Sequence, residues 1–227
     1  MKIKFHGHSC FTLGSSKAKI IIDPFIEGNP LAKIKWEDIN VDAILVTHGH
    51  GDHLGDALKI AEKTGAVIIA PNELAMYCQF HGAKVHPMHI GGSYQFPFGK
   101  VKLTPAWHGS AIIENQTITY TGNPCGFLVT MENKTVYHAG DTGLFGDMEL
   151  IGRTNSIDIA LLPIGDNFVM GVDDAVIAAQ MLKAKTVIPM HYNTFELIKQ
   201  DPEVFKNKIE QIDLNCVVLA VEEELIL

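Results

Sequence analysis

The chain has 227 residues, of which 47% are hydrophobic and 19% charged, and its net charge at pH 7 is −8. This apolar fraction is ample for a packed core and excludes a disordered protein. The acidic balance disfavours nucleic acid and anionic membranes as partners, because each phosphate contact calls for Lys or Arg. A small molecule is therefore the expected substrate.

Short apolar segments and scattered cysteines predict a cytoplasmic protein. Residues 1–6 lack the long apolar stretch of a signal peptide. The apolar runs elsewhere are far shorter than the roughly 20 residues that a membrane-spanning helix needs. The four cysteines form no CxxC pair and are expected to be small buried hydrophobes in a reducing compartment: Cys10, Cys78, Cys125 and Cys216.

The first half of the chain alternates strands with helices. Short β-branched runs that stop at turn residues predict strands over 2–5, 11–13, 19–22, 43–46 and 67–70. Helical spacing predicts one helix over 54–63, with a stop at Gly65, and another from Asn72 to Phe80. The second helix ends at His81-Gly82, where glycine suits the left-handed position after a last turn.

The second half is mixed in the same way. Residues 109–124 are predicted to form a polar loop or hairpin, and helices are predicted over 173–183 and 203–211. Strands are predicted over 135–137, 157–162, 186–188, 217–221 and 225–227. Without any linker or low-complexity segment, residues 1–227 are expected to form one domain of two sheets packed face to face with helices outside. Periodicity alone leaves the topology open.

The strongest chemical signal directly follows the predicted strand 43–46. It is the segment Thr47-His48-Gly49-His50-Gly51-Asp52-His53. The glycines permit a sharp backbone path that lets several side chains converge on one point. Imidazole nitrogen and carboxylate oxygen suit Zn²⁺, Mn²⁺ or Fe, and the absence of cysteine argues against a thiolate-rich structural zinc site.

Four segments in order give the chain a family resemblance. The segment from His48 to His53 resembles the HxHxDH signature of metallo-β-lactamase-fold hydrolases. Ala106-Trp107-His108, Ala139-Gly140-Asp141-Thr142-Gly143 and Pro189-Met190-His191 resemble the later motifs of that family, in the same order. Gly7-His8-Ser9-Cys10 and Ile22-Asp23-Pro24-Phe25 fit its short, single-domain branch, which is similar to ascorbate-6-phosphate lactonase. The resemblance implies an α/β fold with four αββα layers and assembly into a homo-oligomer.

The resemblance also implies a binuclear metal site. It places His48, His50 and His108 on one divalent metal ion, and Asp52, His53 and His191 on the other, with Asp141 bridging them. Zinc is the expected metal, with manganese and iron as alternatives. The implied reaction is attack of a metal-bound hydroxide, oriented by Asp52, on a small ester, lactone or phosphodiester. Arg153 is the only arginine, so the chain has almost no means of binding phosphate through a bidentate arginine.

The remaining histidines and Asp23 have different expected roles. His6 and His8 are two apart on an apparent strand and are expected to share a face, with His8 the better candidate to reach the pocket. Asp23, at a strand end, could orient a ligand histidine through its second nitrogen or be an ordinary turn residue before proline. Five other residues have expected places: His81 at helix carbonyls, His86 and His89 in a loop, His138 in packing or behind a ligand, and Phe168 in a packed loop or a substrate wall.

Three alternatives compete with hydrolysis of a small molecule. A di-iron redox protein of the same fold normally resembles a fusion to a flavin-binding domain, for which this chain has no room. A nuclease of the same superfamily is disfavoured by the net charge of −8. A non-catalytic metal-binding scaffold would show loss of ligands, and none of the seven is missing.

Overall fold

Sixteen strands and six helices alternate along residues 1–227, all of which the computed structural model describes. The strands are β1 Lys2–Phe5, β2 Phe11–Gly14, β3 Lys19–Ile22, β4 Ala43–Leu45, β5 Val67–Pro71, β6 Val85–Met88, β7 Ser93–Phe96, β8 Gly99–Pro105, β9 Ala111–Glu114, β10 Thr117–Tyr120, β11 Cys125–Met131, β12 Lys134–His138, β13 Ile159–Pro163, β14 Thr186–Met190, β15 Asn215–Cys216 and β16 Glu224–Ile226. The helices are α1 Gly51–Leu54, α2 Ala57–Thr64, α3 Asn72–Phe80, α4 Asp147–Thr154, α5 Val172–Leu182 and α6 Pro202–Glu210. Short 3₁₀ turns lie at Trp36–Asp38 and Glu196–Ile198.

Two seven-stranded sheets carry the architecture. The first has the strand order β16-β1-β2-β3-β4-β5-β6, and the second has β15-β14-β13-β12-β11-β8-β7. Strands β3 to β6 run parallel in the first sheet, and β12 to β15 run parallel in the second. The remaining pairs are antiparallel, including β9 with β10, which form a separate hairpin.

Alternating side chains divide each sheet between two hydrophobic layers. In β3, Ile20 and Ile22 join the large cluster that also contains Val101 and Phe127 of the second sheet, whereas Ile21 faces the other way. The second cluster combines the outer face of the first sheet with α2 and α3. Helices α4, α5 and α6 contribute to the large cluster from the outside of the second sheet. The fold is therefore the predicted α/β sandwich with αββα layers.

Local signals account for most element boundaries. Helix α2 ends at Gly65, which adopts the left-handed conformation, and α6 begins at Pro202 behind the Asp201 cap. Residues 109–124 contain the β9–β10 hairpin, which confirms that prediction. His81 caps α3 through its Nδ1 atom, 2.8 Å from the carbonyl of Tyr77, as predicted.

Three predicted elements are wrong in part. The helix over 54–63 is two helices, because Gly55 reverses the chain with φ 43° and ψ −122° between α1 and α2. The strand predicted over 217–221 does not form. The second sheet ends with β15 and one further hydrogen bond from the Val217 amide to the Val187 carbonyl, and the chain then turns at Glu222 to pair with β1 of the first sheet. His86 lies in the edge strand β6 and not in a loop, because an edge position tolerates the neighbouring Pro87.

No helix combines the length and the apolar character that crossing a membrane requires.

Candidate metal centre

The candidate ligands converge at one end of the sandwich because they follow strands that point the same way. His48 follows β4 and Asp23 follows β3 in the first sheet. His108, Asp141 and His191 follow β8, β12 and β14, which share one direction in the second sheet. The carboxyl ends of the two sheets therefore bring all the predicted site residues to one edge.

The HxHxDH segment supplies four of these side chains from a short loop and a one-turn helix. His48 and His50 lie in the loop after β4, and Asp52 and His53 lie on the single turn of α1. Gly49 passes so close to the hairpin base that a Cβ atom there would overlap the side chain of Thr121. This close approach explains why glycine separates the first two histidines.

Three histidines form the first group. The ligand atoms of His48, His50 and His108 all lie within 4.8 Å of one another. His48 Nε2 is 2.9 Å from His50 Nδ1, which is near the roughly 3.3 Å expected between two nitrogens on one tetrahedral zinc. His48 is fully buried, while His50 and His108 are half-buried, so the group opens toward solvent on one side.

A second group contains the other predicted ligands and one more histidine. Its members are His8, Asp52, His53 and His191, whose ligand atoms also lie within 4.8 Å of one another. His8 Nε2 is 3.2 Å from Asp52 Oδ2, and His8 Nδ1 is 2.9 Å from the hydroxyl of Thr194. The structure thus brings His8 to the site, but on a turn after β1 and not on a shared strand face with His6.

Asp141 lies between the two groups. Its Oδ2 atom is 3.0 Å from His191 Nε2 and 3.2 Å from His53 Nε2. The same oxygen is 3.5 Å from His108 Nε2 and 4.0 Å from His48 Nε2. One buried carboxylate oxygen therefore faces imidazoles from both groups.

Asp23 orients two of the histidines from behind. Its carboxylate accepts hydrogen bonds from His53 Nδ1 at 2.8 Å, from the Thr47 hydroxyl at 2.7 Å and from the Thr47 amide at 2.8 Å. Thr47 Oγ1 is in turn 2.9 Å from His48 Nδ1. With both Nδ1 atoms occupied in this way, His53 and His48 direct Nε2 toward Asp141.

His138 supports the Asp141 turn and is not among the ligand groups. Its Nε2 atom donates to the carbonyl of Ser9 at 2.9 Å, and its Nδ1 accepts from the amide of Gly140 at 3.1 Å. The side chain therefore connects the turn that carries Asp141 with the turn that carries His8. Its predicted place, in packing or behind a ligand, agrees with these contacts.

Burial and charge give the histidines two kinds of protonation behaviour. Burial lowers the pKa of His48, His50 and His108, and lowers that of His8 to about 4. Burial also acts to lower the pKa of His53, but the carboxylates of Asp141 and Asp23 outweigh it and raise that pKa well above its ordinary value. The three-histidine group is therefore neutral at pH 7, the form that binds metal.

Both site carboxylates are held in the charged form. Burial alone would raise the pKa of Asp52, but the hydrogen bond from His8 and the charge of His53 lower it. The charges of His191 and His53 likewise outweigh burial and hold the pKa of Asp141 well below its ordinary value. Both carboxylates are therefore available as anionic ligands.

Unusual backbone conformations accompany the site. His8, Asp23 and His191 have φ values of 57°, 47° and 55°, in the left-handed region that non-glycine residues seldom adopt. The amide of His191 donates to the carbonyl of His8 at 2.8 Å, which joins a loop of the second sheet to a turn of the first. Strain of this kind concentrates where side-chain placement matters for function.

The donor set fits divalent cations. His53 Nε2 and Asp141 Oδ1 are buried and have no hydrogen-bond partner. Such atoms are costly to bury unless a ligand satisfies them. Imidazole nitrogens with two carboxylates are the ligand types that zinc, manganese and iron accept.

Comparison with known proteins agrees with this geometry. Residues 18–192 match the family described as the beta-lactamase superfamily domain. A UPF0173 metal-dependent hydrolase of Bacillus cereus (strain AH187) is 58% identical over 218 residues, which cover 95% of this chain and 94% of that protein. The chain belongs to the metallo-β-lactamase-fold family of metal-dependent hydrolases.

Solved structures extend the comparison. Igni18, a metallo hydrolase from the hyperthermophilic archaeon Ignicoccus hospitalis KIN4/I, is 36% identical to this hydrolase, with a TM-score of 0.90. The match covers 99% of this chain and 97% of Igni18. An isothiocyanate hydrolase from Delia radicum gut bacteria shares the fold, with a TM-score of 0.77 and 19% identity. That match covers 100% of this chain and 99% of the isothiocyanate hydrolase.

Two threonines of the hydrolase contact the candidate ligands, and these contacts were not predicted from the sequence. Thr47 connects Asp23 to His48, and Thr194 contacts His8. Thr47 directly precedes the first histidine of the motif, so its position was a signal that sequence reasoning could have used. Thr194 had no such signal, because its contact with His8 joins positions 186 residues apart. His6 lies outside the site and bonds Glu222 and Thr12.

Proposed function

We propose that the hydrolase holds two divalent cations, most simply zinc, and cleaves a small ester, lactone or phosphodiester. The observation that carries this proposal is the position of Asp141 Oδ2, within 4.0 Å of four imidazole nitrogens that belong to two ligand groups. His48, His50 and His108 would hold one cation, and Asp52, His53 and His191 would hold the other. When bound, such a pair supplies Lewis acidity and lowers the pKa of a water to about 7.

The chain's own residues then have distinct tasks. Asp52 has a half-buried side chain that is anionic, and we assign it the task of orienting the attacking water. His8 holds Asp52 in place through the contact between Nε2 and Oδ2. Asp23 and Thr47 fix the tautomers of His53 and His48, so that the lone pair of each Nε2 faces the centre.

A panel of chromogenic esters, thioesters, lactones and phosphodiesters, each assayed with zinc, manganese and iron, tests the proposal. We expect metal-dependent hydrolysis of at least one of these substrates. Asp141→Ala should reduce kcat/KM by 100-fold or more, because it removes a ligand shared by both groups. The exposed Asp147, on α4, provides the matched control, and Asp147→Ala should retain wild-type activity. Full activity in Asp141→Ala would contradict the bridging role.

A further inference from the structure

A cavity of about 360 Å³ opens directly beside His50 and Asp52. Its opposite side is formed by Leu54 at the end of α1 and by β9 of the hairpin, including Ile113 and Glu114. We infer that this cavity receives an uncharged, apolar group of the substrate, and that Leu54 and Ile113 determine specificity. The inference rests on the proposed function, since the cavity matters only if the reacting bond lies at the adjoining ligands.

The wall of the cavity is held rigidly to the ligand loop. Ser110 Oγ accepts a hydrogen bond from the amide of Gly49 at 3.1 Å and lies 2.7 Å from Thr121 Oγ1. The amide of Thr121 also donates to the carbonyl of Ser110 at 3.0 Å, which closes the base of the hairpin. The hairpin therefore keeps a fixed distance from His50, as a specificity wall requires.

Apolar side chains on this wall are not all explained by core packing. Ile112 is buried and belongs to the same hydrophobic cluster as Leu54. Ile113, the next residue, is 69% exposed. An exposed isoleucine at the mouth of a polar site leaves apolar surface in water, and a bound apolar group would remove that surface from water.

No lysine or arginine lines the cavity to balance an anionic occupant. Its ten lining residues include the acids Asp52 and Glu114 and no lysine or arginine. Arg153, the only arginine of the chain, is not among them. Cations held by His50 and Asp52 would lie on the near side of the cavity, but on the far side a carboxylate or phosphate would meet Glu114 with no lysine or arginine in the lining. A neutral acyl or alkyl group therefore fits the far side best.

Size adds a limit on this group. Ligand pockets commonly span roughly 300 to 1,000 Å³, so 360 Å³ lies near the lower end. A short alkyl or acyl chain therefore fits within this space. The favoured substrate is a neutral ester, thioester or lactone with such a chain beside the reacting carbonyl.

Binding of alkyl hydroxamates to the zinc-loaded protein tests this inference without requiring turnover. The hydroxamate group chelates the metal, and the alkyl chain samples the cavity. From acetohydroxamate to hexanohydroxamate, calorimetry should show the Kd falling about two- to fourfold per methylene, as burial of apolar surface predicts. Succinic monohydroxamate, which ends in a carboxylate, should bind at least tenfold more weakly than the uncharged butyrohydroxamate.

Two matched variants locate the effect. Ile118 is the cross-strand partner of Ile113 and is 72% exposed, but it does not line the cavity. Ile113→Ser should flatten the dependence on chain length while acetohydroxamate still binds, and Ile118→Ser should preserve the dependence. Because both side chains are exposed, both variants are expected to fold, which thermal melting verifies.

The possible failures are distinguishable. If acetohydroxamate fails to bind the zinc-loaded protein, the proposed metal function is wrong and the inference falls with it. If acetohydroxamate binds but longer chains gain nothing, only the inference is overturned. Equal loss of chain-length dependence in Ile113→Ser and Ile118→Ser would also overturn it, because the effect would then belong to the hairpin surface and not to the cavity.

Discussion

At the scale of single residues, Asp23 shows how a side chain that binds no metal can control those that do. Its buried carboxylate holds His53 directly and His48 through Thr47. In Asp23→Asn the amide group cannot accept all of these bonds, so the imidazoles lose their fixed tautomer. We expect metal affinity to fall about 10- to 100-fold, measured by competition with a chromophoric chelator.

Asp42 offers a matched control for this substitution. Its carboxylate also accepts a backbone hydrogen bond, from the amide of Lys19 at 2.8 Å, but at the opposite end of β3. Asp42→Asn should leave metal affinity unchanged. Unchanged metal affinity in Asp23→Asn would contradict its role in orienting the histidines and would make Asp23 an ordinary turn residue.

Protonation of the two ligand groups predicts different pH dependence. Because burial lowers the pKa of His48, His50 and His108, these rings stay neutral as the pH falls from 8 to 6.5. The pKa of His53 is raised, so a cation at the second group must displace a proton, and its affinity should increase with pH across this range. Calorimetric zinc titrations at several pH values should show one nearly pH-independent equivalent and one pH-dependent equivalent. Identical slopes for both equivalents would contradict the assignment.

Residue types and spacing were enough to predict the ligand candidates but not their surroundings. The cluster from His48 to His53 is visible because the ligands are adjacent in sequence, and the structure brings His108, Asp141 and His191 to the same place. The place of His8 depends on a turn with φ 57° and on Thr194, 186 residues away. Contacts between residues so far apart in the sequence are determined by tertiary packing, which periodicity does not encode.

At the scale of elements, the reversal at Gly55 separates the ligand-bearing turn α1 from the supporting helix α2. A Cβ atom at Gly55 would lie 2.5 Å from the carbonyl oxygen of Pro24, and its φ of 43° with ψ of −122° suits only glycine. We expect Gly55→Ala to lower the free energy of unfolding by more than about 2 kcal/mol. Chemical denaturation measures this change.

Gly146 provides the comparison for this element. It has φ −62° and ψ −32°, and a Cβ atom there would meet no atom within 4 Å. Gly146→Ala should therefore change the free energy of unfolding by no more than about 1 kcal/mol, in the stabilising direction. Similar effects of the two substitutions would show that the close approach at Gly55 is not what constrains the chain.

Sequence patterns predicted an element best where the same periodicity continues from its first residue to its last. Helix α5 and strand β14 lie within a residue or two of their predicted ranges. The prediction failed at 54–63, where helical spacing continues through Gly55 although the backbone does not. It failed again at 217–221, where an apolar run of strand composition crosses from one sheet to the other. In both places the tertiary packing of the following segment overrides the local sequence preference.

At the scale of the whole molecule, the site is the point where the two sheets meet. The first sheet contributes the segment from His48 to His53, and the second contributes His108, Asp141 and His191. The layer architecture was predictable from the sequence, because strands and helices alternate and the family motifs occur in order. The strand order and the shared edge were not, since they depend on pairing between distant segments.

We expect both ligand groups to bind cations at once, with Asp141 between them. Equilibrium dialysis of the hydrolase against zinc, followed by elemental analysis and an independent protein assay, measures the number of ions bound per chain. We predict two zinc ions per chain for the wild-type protein at saturation. A plateau at one ion per chain, or at none, would contradict the binuclear centre.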